Sequence, residues 1–575
     1  MTTGIASTSV ATTSSGNFTV STVNSVFVLN AKAYGAKGDG QVVSDGAMTS
    51  GSATLTSATA NFSSADVGKL VLVKDALTGP NTLSGTITGF TSATQVTLSV
   101  SATRTVSNAT VFWGTDDKSA VNTAISDAAA LNPGGAMIQF DAGRFCFSDS
   151  IDLSNRIGIG LQGSGNMTGG GPPGTQLLLF DNTTKNLVKA TTSSGVVIKN
   201  MQLLAFATQY SGTLVLANSG TPQVCHILNA SLDARGSTAT LLDLSTGNGI
   251  VVERVLFSYG GTQVIGSNTA NNIVIRSCEF LNYATVAIKD PGQAWAIEQC
   301  VFEPGSSNQA AALTCASNAH GLRIVGCWTG DNTATTSGQV WFSVKGVGIE
   351  ISGNYIANFP TAQNVTGIKF TAASQGVAIK GNTFELGSGS GTVCLDLGNF
   401  AHVGLDAIGN AFISGVTHIT GAGSVAGGEG LVTMFGAKSW SSSAQTLANA
   451  TLTAVTFGTN LVNRGSVWSG GANTKFTVPT GGAGTWLVNA GVVFANNTTG
   501  IREMFVRKNG STYVARVGPP AATGTNQSQV LITYVDPSAA DADYYEIIVR
   551  QDSGGNLNTI VVDSGYTWAT AVKIA

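Results

Sequence analysis

The stretch NNIVIRSCEFLNYATVAIKDPGQAWAIEQCVFEPG, residues 271–305, contains one eight-residue phrase twice. IVIRSCEF (273–280) returns as WAIEQCVF (295–302), 22 residues later and with its cysteine at the same place. A period of roughly 20 to 50 residues is typical of solenoid proteins, in which each repeat is one structural unit. The phrase therefore predicts a stack of similar units.

The phrase continues on both sides of this stretch, and its nine copies end 22 to 29 residues apart. The other copies are VVIKNMQL (196–203), CHILNASL (225–232), IVVERVLF (250–257), LRIVGCWT (322–329), IEISGNYI (349–356), VAIKGNTF (377–384) and, more loosely, LDAIGNAF (405–412). Positions 1 to 4 alternate between apolar and polar residues, which indicates a strand. Position 5 is often Gly, Asn, Ser or Gln, which predicts a bend before a second short strand.

Another β-rich stretch lies between successive copies, so each unit contains two or three strands. This length and content predict one rung of a parallel β-helix. The leucine-rich repeats have a similar period, but the Leu/Asn consensus and the helical half of those repeats are missing here.

Stacked rungs are spaced about 4.8 Å apart, so each phrase position becomes a column along the solenoid. The inward position 6 carries three cysteines and then three asparagines: Cys278, Cys300, Cys327, Asn354, Asn382 and Asn410. Asparagine amides can hydrogen-bond along such a column. Parallel Cβ atoms about 4.8 Å apart are beyond the usual 3.5–4.5 Å of a disulfide. We therefore expect buried, free thiols.

The composition excludes several classes of protein. Only 10% of residues are charged, and the net charge of −3 argues against a nucleic-acid partner. The 43% of hydrophobic residues argues against disorder. We expect no signal peptide, because MTTGIASTSVATTSSG has neither a basic nor an apolar region, and no membrane insertion, because no apolar run approaches about 20 residues. Seven cysteines over this length are unlike a disulfide scaffold, so we expect synthesis in a reducing cytoplasm.

Four phrases ahead of the rungs carry a resemblance to a known family: AYGAKGDG (33–40), TDD (115–117) opening a helix, IQFDAGRF (138–145) and GLQGSG (160–165). Their order resembles the N-terminal signature of the pectate-lyase-like superfamily, in its branch of phage tailspikes and surface-polysaccharide depolymerases. The resemblance covers residues 29–415 and implies the fold, since GDG and TDD are structural motifs. Two departures are the inserted residues 41–113 and Asp141, where that family more often has proline.

The repeat phrase stops near Gly430, and residues 455–555 read as about eight alternating strands. FTVPTGGAGTWLV and RKNG within them resemble the jelly roll of C1q and tumour-necrosis-factor-like domains. The resemblance implies a homotrimer formed through aromatic side chains, for which Phe457, Phe476, Trp486 and Tyr545 are candidates. The alternative is a monomeric carbohydrate-binding sandwich.

The expected fold is all-β: a right-handed parallel β-helix with an N-terminal capping helix and a small β insertion, then an antiparallel jelly-roll sandwich. The expected domains are a flexible tail or adaptor segment (1–27), a cap (28–135) with the insertion (41–113) and the helix (115–131), the β-helix (136–429), and a trimerisation or carbohydrate-binding domain (430–575). A head-binding domain missing from this sequence is the alternative to an adaptor tail.

Outward positions of a solenoid are where function is expected. Position 4 carries Glu253, Arg276 and Glu298 in three consecutive rungs, and position 7 adds Glu279. Glu253 and Glu298 then lie two rungs, roughly 9.6 Å, apart. Inverting glycosidases hold their acid and base about 6.5–9.5 Å apart. The alternative for these residues is a surface salt-bridge ladder.

Trp328 and Tyr355 share position 7 one rung apart, where stacked rings would bind sugars; packing beneath a loop is the alternative. Arg276 and Arg323 are further candidates for substrate binding, although Arg323 and Glu350 share position 2 and are also expected to form a salt bridge. Other carboxylates that remain open as site residues are Asp233, Asp243, Asp290, Glu303, Asp331 and Glu350. We expect no metal and no cofactor, because no spacing typical of such sites occurs.

Together these patterns and resemblances predict a phage-type tailspike that recognises and depolymerises a bacterial capsule, exopolysaccharide or lipopolysaccharide O-chain. Hydrolysis by paired carboxylates is the expected chemistry. The alternatives are a polysaccharide lyase on the same fold and a non-catalytic receptor-binding tail fibre. The expected location is the virion tail, with a baseplate or adaptor protein as partner of the N-terminal tail.

Overall fold

The computed structural model describes residues 27–574 except 80, 132–134, 166–173, 181–182, 219–224, 237, 306–310, 331–337, 358–363, 388, 390, 399, 415–416, 421–424, 427–435, 465–466, 469–472, 480–481, 523–526 and 562–566. The chain forms two compact units. The first contains residues 1–372, 381–394 and 411–416, and the second contains residues 373–380, 395–410 and 417–575.

Three parallel sheets build the first unit. Sheet A contains Phe27–Asn30, Ala136–Gln139, Ile159–Gln162, Val196–Lys199, Cys225–Leu228, Asn248–Glu253, Asn271–Arg276, Gln293–Glu298, Ala319–His320, Arg323–Val325, Gly346–Val347 and Glu350–Ser352. Sheet B contains Gly143–Phe147, Thr175–Leu179, Gln202–Ala205, Ser231–Ala234, Leu256–Tyr259, Glu279–Leu281, Val301–Glu303, Trp328–Thr329, Tyr355–Ala357, Thr383–Glu385 and Ala411–Ser414. Sheet C contains Ile151–Asp152, Val188–Lys189, Thr213–Leu216, Thr240–Asp243, Thr262–Ile265, Val286–Lys289, Ala311–Thr314, Gln339–Val344 and Val365–Phe370.

Each rung adds one segment to each sheet, and the strands pair in parallel. The register joins Glu253 to Arg276 and Arg276 to Glu298, as the repeat predicts. In sheet B the same rungs join Phe257 to Phe280. The predicted parallel β-helix is therefore confirmed, and its phrase covers one strand of sheet A and the start of one strand of sheet B.

The bend between these two strands has one backbone conformation throughout. Position 5 has a positive φ in all nine copies: Asn200, Asn229, Arg254, Ser277, Gln299, Gly326, Gly353, Gly381 and Gly409. Because a left-handed residue turns an extended chain sharply, it sends the strand after it into sheet B. Asparagine and glycine are frequent here because they adopt this conformation with the least strain.

Inward columns fill the solenoid. Phe257 stacks on Phe280 with ring centroids 4.8 Å apart, and Phe280 stacks on Phe302 at 4.9 Å. All seven cysteines are free and buried, which confirms the prediction for the three cysteines of the position 6 column. The asparagine ladder is also present, because the amide of Asn354 donates to Asn382 Oδ1 over 2.8 Å.

The inserted residues form a small closed barrel within the first unit, with strands Gln41–Met48, Thr54–Thr56, Leu70–Leu77, Asn81–Ser92, Gln95–Leu98 and Val106–Gly114. Two 3-10 helices, Ala31–Tyr34 and Ser64–Asp66, flank and interrupt this region. Leu72 and Phe112 of the barrel pack against Leu178 and Leu204 on the outer face of sheet B. The insertion therefore covers the first rungs of that face.

One α-helix, Lys118–Ala130, lies in the described part of the first unit, and it buries Val121, Ala124, Ile125 and Ala128 at helical spacing. The Asp117 carboxylate accepts the Gly38 N–H (3.3 Å), and Thr115 N–H donates to Asp39 Oδ1 (2.9 Å). The GDG and TDD motifs are thus in contact despite the insertion between them. Within the described residues, no helix combines the length and apolarity needed to cross a membrane.

The second unit contains the parallel strands Gln375–Lys380, His402–Ile408 and Val425–Ala426, the strand Thr417–Thr420, and antiparallel sheets; Val393–Asp396 spans the boundary between the units. Sheet D contains Gly436–Trp440, Thr459–Arg464, Gly484–Phe494, Ser528–Ala539 and Trp568–Lys573. Sheet E contains Thr453–Ala454, Lys475–Thr477, Arg502–Lys508, Thr512–Val517 and Tyr544–Gln551, and Thr446–Leu447 pairs with Leu557–Asn558. The predicted boundary at residues 429 and 430 lies outside the described residues.

One prediction for the second unit is wrong. Phe457, Phe476, Trp486 and Tyr545 are all buried in its core and do not reach its surface. Strand alternation turns these side chains inward, where they pack on one another, as Phe457 and Phe476 do with ring centroids 5.6 Å apart. Aromatic residues that face a partner subunit must therefore be sought elsewhere.

Candidate functional site

The predicted site residues lie on two outer faces of the β-helix. Glu253, Arg276, Glu298 and Arg323 are on sheet A. Glu279, Trp328 and Tyr355 are on sheet B. Because the left-handed bend separates the two sheets, these sets face different directions.

The sheet A residues form two separate groups of ion pairs, one around Arg276 and one around Arg323. Arg276 Nη2 lies 2.8 Å from Glu253 Oε2. Arg323 contacts two carboxylates, with Nη1 3.2 Å from Glu298 Oε1 and Nε 2.9 Å from Glu350 Oε2. The predicted Arg323–Glu350 salt bridge is confirmed. The predicted alternative, a Glu253–Arg276–Glu298 salt-bridge ladder, is present only in its Glu253–Arg276 half, because Glu298 pairs with Arg323.

The electrostatics of this face favour an ionised Glu253. The hydrogen bond from Arg276 holds the pKa of Glu253 below its ordinary value. A general acid must carry a proton near the working pH, whereas a general base must be ionised. Glu253 is therefore better suited to accept a proton than to donate one.

On sheet B, Glu279 lies beside a second glutamate that the repeat phrase does not contain. Glu279 pairs in register with Val301, and Leu281 pairs with Glu303. Phe280 and Phe302 between them point inward and are fully buried, so both glutamates face outward. One rung and two residues separate the glutamates, which corresponds to about 8 Å between their Cα atoms.

Two aromatic side chains continue this face. Trp328 pairs in register with Val301 on one side and with Tyr355 on the other. A Cβ added to Gly330 would clash with the six-membered ring of Trp328, so the edge of the indole ring packs against this glycine. The Tyr355 hydroxyl donates a hydrogen bond to Glu385 on the next rung. The predicted neighbouring positions of the two rings are confirmed.

A third group on sheet B precedes Glu279 in the stack. Arg235 donates a hydrogen bond from Nη2 to Asp233 Oδ2 (3.0 Å), and its Nε lies 2.9 Å from Asp233 Oδ1 as an ion pair. Its guanidinium carbon lies 4.0 Å from the centre of the Tyr259 ring. Burial raises the pKa of Asp233 to about 6, and the attraction of Arg235 only partly opposes this shift.

Sequence reasoning did not bring Arg235 and Tyr259 together. The repeat phrase ends at position 8, whereas Asp233, Ser258 and Glu303 occupy position 9, the next outward position of sheet B. Extending the period-two alternation by one more residue would have found this column. Asp243 and Asp290 instead accept backbone N–H groups at turns, and Asp331 lies outside the described residues.

No family model and no curated protein matches the chain. Among solved structures, the tailspike protein gp49 of Acinetobacter baumannii bacteriophage Fri1, a capsular polysaccharide depolymerase, is 10% identical, with 96% of this chain and 98% of that chain covered and a TM-score of 0.32. The enzymatically active domain of bacteriophage CBA120 tailspike protein 2 is 13% identical, with 85% and 79% covered and a TM-score of 0.36.

Murine APRIL is 14% identical, with 24% of this chain and 98% of that chain covered and a TM-score of 0.20. At these identities and TM-scores the similarities carry no argument about activity. The strand register of the chain itself establishes that it folds as a parallel β-helix followed by antiparallel sheets.

Proposed function

We propose that the protein is a phage-type tailspike that binds and depolymerises a bacterial surface polysaccharide on the outer face of sheet B. The observation that carries this proposal is the juxtaposition of carboxylates and aromatic rings on one face. Glu303 lies on the rung next to Trp328, Glu279 lies two rungs from Trp328 beyond Val301, and Tyr355 follows Trp328 on the next rung. Aromatic rings on a flat surface suit sugar rings, and paired carboxylates suit cleavage of the bond between sugars.

Hydrolysis requires one carboxylic acid and one carboxylate. The acid protonates the leaving glycosidic oxygen while the carboxylate takes a proton from the attacking water, so that the C–O bond breaks as the new one forms. The separation of about 8 Å between the Cα atoms of Glu279 and Glu303 is compatible with a carboxyl spacing that leaves room for this water. We assign the two roles jointly to this pair.

Glu253 and Glu298 on sheet A remain the rival pair. Two rungs separate them, with Arg276 between them in register. Arginines already engage both carboxylates, and the hydrogen bond from Arg276 holds the pKa of Glu253 below its ordinary value, so we prefer the sheet B pair. Arg276 and Arg323 would bind substrate only if this rival face is the active one.

We also propose that the tailspike is a homotrimer. The outer face of sheet D supports this, since Leu531 is 57% exposed and Val535 is 46% exposed. Val535 and Val572 both pair with Leu487, so apolar side chains run across three strands. Such a patch is typical of a protein interface. The N-terminal segment 1–27 is proposed to bind a baseplate or adaptor protein of the virion tail.

The test is a screen of the purified protein against a panel of bacterial capsules and lipopolysaccharides. We expect one polysaccharide to lose chain length and to gain reducing ends. Glu279→Gln and Glu303→Gln should each lower the rate at least about 100-fold, the effect typical of removing a general acid or base. Glu253→Gln and Glu298→Gln serve as matched controls on the other face and should retain most of the rate.

The other outcomes identify the rival functions. If the sheet A variants lose activity and the sheet B variants keep it, the site is on sheet A. An unsaturated uronate product would identify a lyase. Binding without any loss of chain length would identify a receptor-binding fibre and refute the depolymerase.

A further inference from the structure

The guanidinium group of Arg235 is fixed on two sides. Asp233 holds its Nε and Nη2 atoms at 2.9 and 3.0 Å, and the Tyr259 ring lies 4.0 Å away on one face. The Asp233 side chain is only 6% exposed, whereas the Arg235 side chain is 37% exposed. A long, exposed arginine normally loses side-chain entropy when it binds a ligand. Here the protein has already restricted the guanidinium before any ligand arrives.

Only one edge of the guanidinium is used. A guanidinium presents five N–H donors in a planar fork, and a carboxylate can bind two parallel donors along an edge. Nε and Nη2 form the side edge, which Asp233 occupies. In the described part of the chain, no hydrogen bond or ion pair involves Nη1. The end edge, formed by Nη1 and Nη2, therefore remains for a second planar oxyanion.

This edge belongs to the face that carries the proposed active site. Ala234 pairs in register with Tyr259, and the strand Leu256–Tyr259 pairs with the strand Glu279–Leu281. One rung earlier, Leu204 packs against the barrel residues Leu72 and Phe112. Arg235 thus follows the region that the barrel covers and precedes Glu279 along the stack.

We propose that Arg235 binds the carboxylate of an acidic sugar, so that the polysaccharide recognised on sheet B contains uronic acid units. This inference rests on the proposed function and names the class of its substrate. Asp233 is a positioning residue that holds the guanidinium, and Tyr259 supports the guanidinium plane. The net charge of this site does not explain the recognition of a carboxylate, because Asp233 lies beside Arg235. The recognition comes from the paired N–H donors of the end edge. A neutral sugar has no planar oxyanion to accept both donors.

The experiment is saturation-transfer NMR on the full chain with millimolar monosaccharides. The probes are D-glucuronate and D-galacturonate, the neutral D-glucose and D-galactose, and D-glucose 1-phosphate as a non-planar oxyanion. We expect the uronates to show at least about fivefold more saturation transfer than the neutral sugars. Arg235→Gln should abolish this excess, and Arg235→Lys should reduce it, since lysine keeps the charge but lacks the planar fork.

Arg516→Gln is the matched control, because Arg516 also pairs with a buried glutamate, Glu503, and lies over an aromatic ring, Phe505. This variant should keep the excess. Equal signals from uronates and neutral sugars, a stronger signal from glucose 1-phosphate than from the uronates, or an undiminished excess in Arg235→Gln would each overturn the proposal. An unchanged melting temperature shows that a loss in Arg235→Gln is not due to unfolding.

The result of the uronate-binding test can be distinguished from the result of the depolymerase test. Uronate binding at Arg235 without cleavage of any polymer would refute the depolymerase and leave this inference intact. Equal cleavage of an acidic polysaccharide and its carboxyl-reduced form would refute the inference and leave the depolymerase intact.

Discussion

Trp328 and Tyr355 are register partners on adjacent strands of sheet B, and each presents its ring on the outer face. The edge of the Trp328 ring packs against Gly330, while Tyr355 is tied to Glu385 through its hydroxyl group. The two rings are thus fixed by different contacts. This difference makes their contributions to sugar binding separable.

Trp328→Ala should weaken binding of the polysaccharide about tenfold, because a stacked aromatic ring contributes about 1 kcal/mol or more. Tyr355→Ala should have a similar effect, whereas Tyr355→Phe should bind nearly as well because the ring remains. Affinity electrophoresis in gels containing the polysaccharide measures these changes. Wild-type affinity in Trp328→Ala would refute the stacking role.

The asparagine ladder should be far less tolerant of substitution than the cysteine column. Asn354 accepts the Cys327 N–H (2.8 Å) and donates to Ile324 O (3.0 Å). Asn354→Ala would leave the buried Cys327 N–H without its partner, which should cost about 3 kcal/mol. Cys300→Ala removes only a small apolar group and should cost about 1 kcal/mol.

Scanning calorimetry should therefore show a much larger fall in melting temperature for Asn354→Ala. Neither melting temperature should depend on added reductant, since the thiols are free. Equal shifts for the two variants would contradict a hydrogen-bonding role of the ladder.

The bend column offers a stabilising substitution. Ser277 has a φ of 51°, a conformation that costs a residue with a side chain about 1 kcal/mol or more. Ser277→Gly removes this strain and should stabilise the protein by about 0.5 kcal/mol after the extra entropy of glycine in the unfolded chain is counted. Ser277→Val should destabilise it, because a β-branched residue tolerates this conformation poorly.

Val274→Gly is the control for Ser277→Gly, since Val274 lies within a strand and should be destabilised by glycine. Thermal unfolding followed by circular dichroism compares the three variants. A lower melting temperature for Ser277→Gly would show that the bend is not strained.

Asp233 should make stability fall as the pH rises. Its pKa is about 6 in the folded protein against 3.8 in the unfolded chain, so the folded state holds the proton more tightly. The resulting stabilisation is present below about pH 4 and is lost as the pH rises through about 6, a change of roughly 3 kcal/mol. The side chain of Asp233→Asn cannot titrate, so this variant should lack the pH-dependent stabilisation.

The melting temperature of Asp233→Asn relative to the wild type should therefore increase between pH 4 and pH 7. Parallel curves would show that attraction to Arg235 balances the effect of burial, and a difference that shrinks over this range would show that it outweighs burial.

The fold was predictable because a β-helix repeats one local pattern. Period-two alternation set the inward and outward columns, and the bend residues set the position of the corner, so the register of Glu253, Arg276 and Glu298 followed from the sequence. The same rule placed Trp328 and Tyr355 together.

The site was predictable only as far as the phrase extends. Arg235 follows the end of its strand, where alternation no longer fixes the direction of a side chain, and its contact with Tyr259 depends on a rotamer. The ion pairs of Arg323 also depend on rotamers, since it reaches Glu298 diagonally as well as Glu350 directly. In the second unit no repeat was present to distinguish core aromatic residues from surface ones.

The spacing between copies of the phrase varies from 22 to 29 residues, yet the sheet B strands Leu256–Tyr259, Glu279–Leu281 and Val301–Glu303 remain paired residue for residue. The turns between sheets absorb all of this variation. Lengthening or shortening a turn would therefore leave the distance between Glu279 and Glu303 unchanged. Exchanging the turns between the sheets would therefore leave the two proposed catalytic carboxylates at a constant separation, because the paired rungs alone determine it.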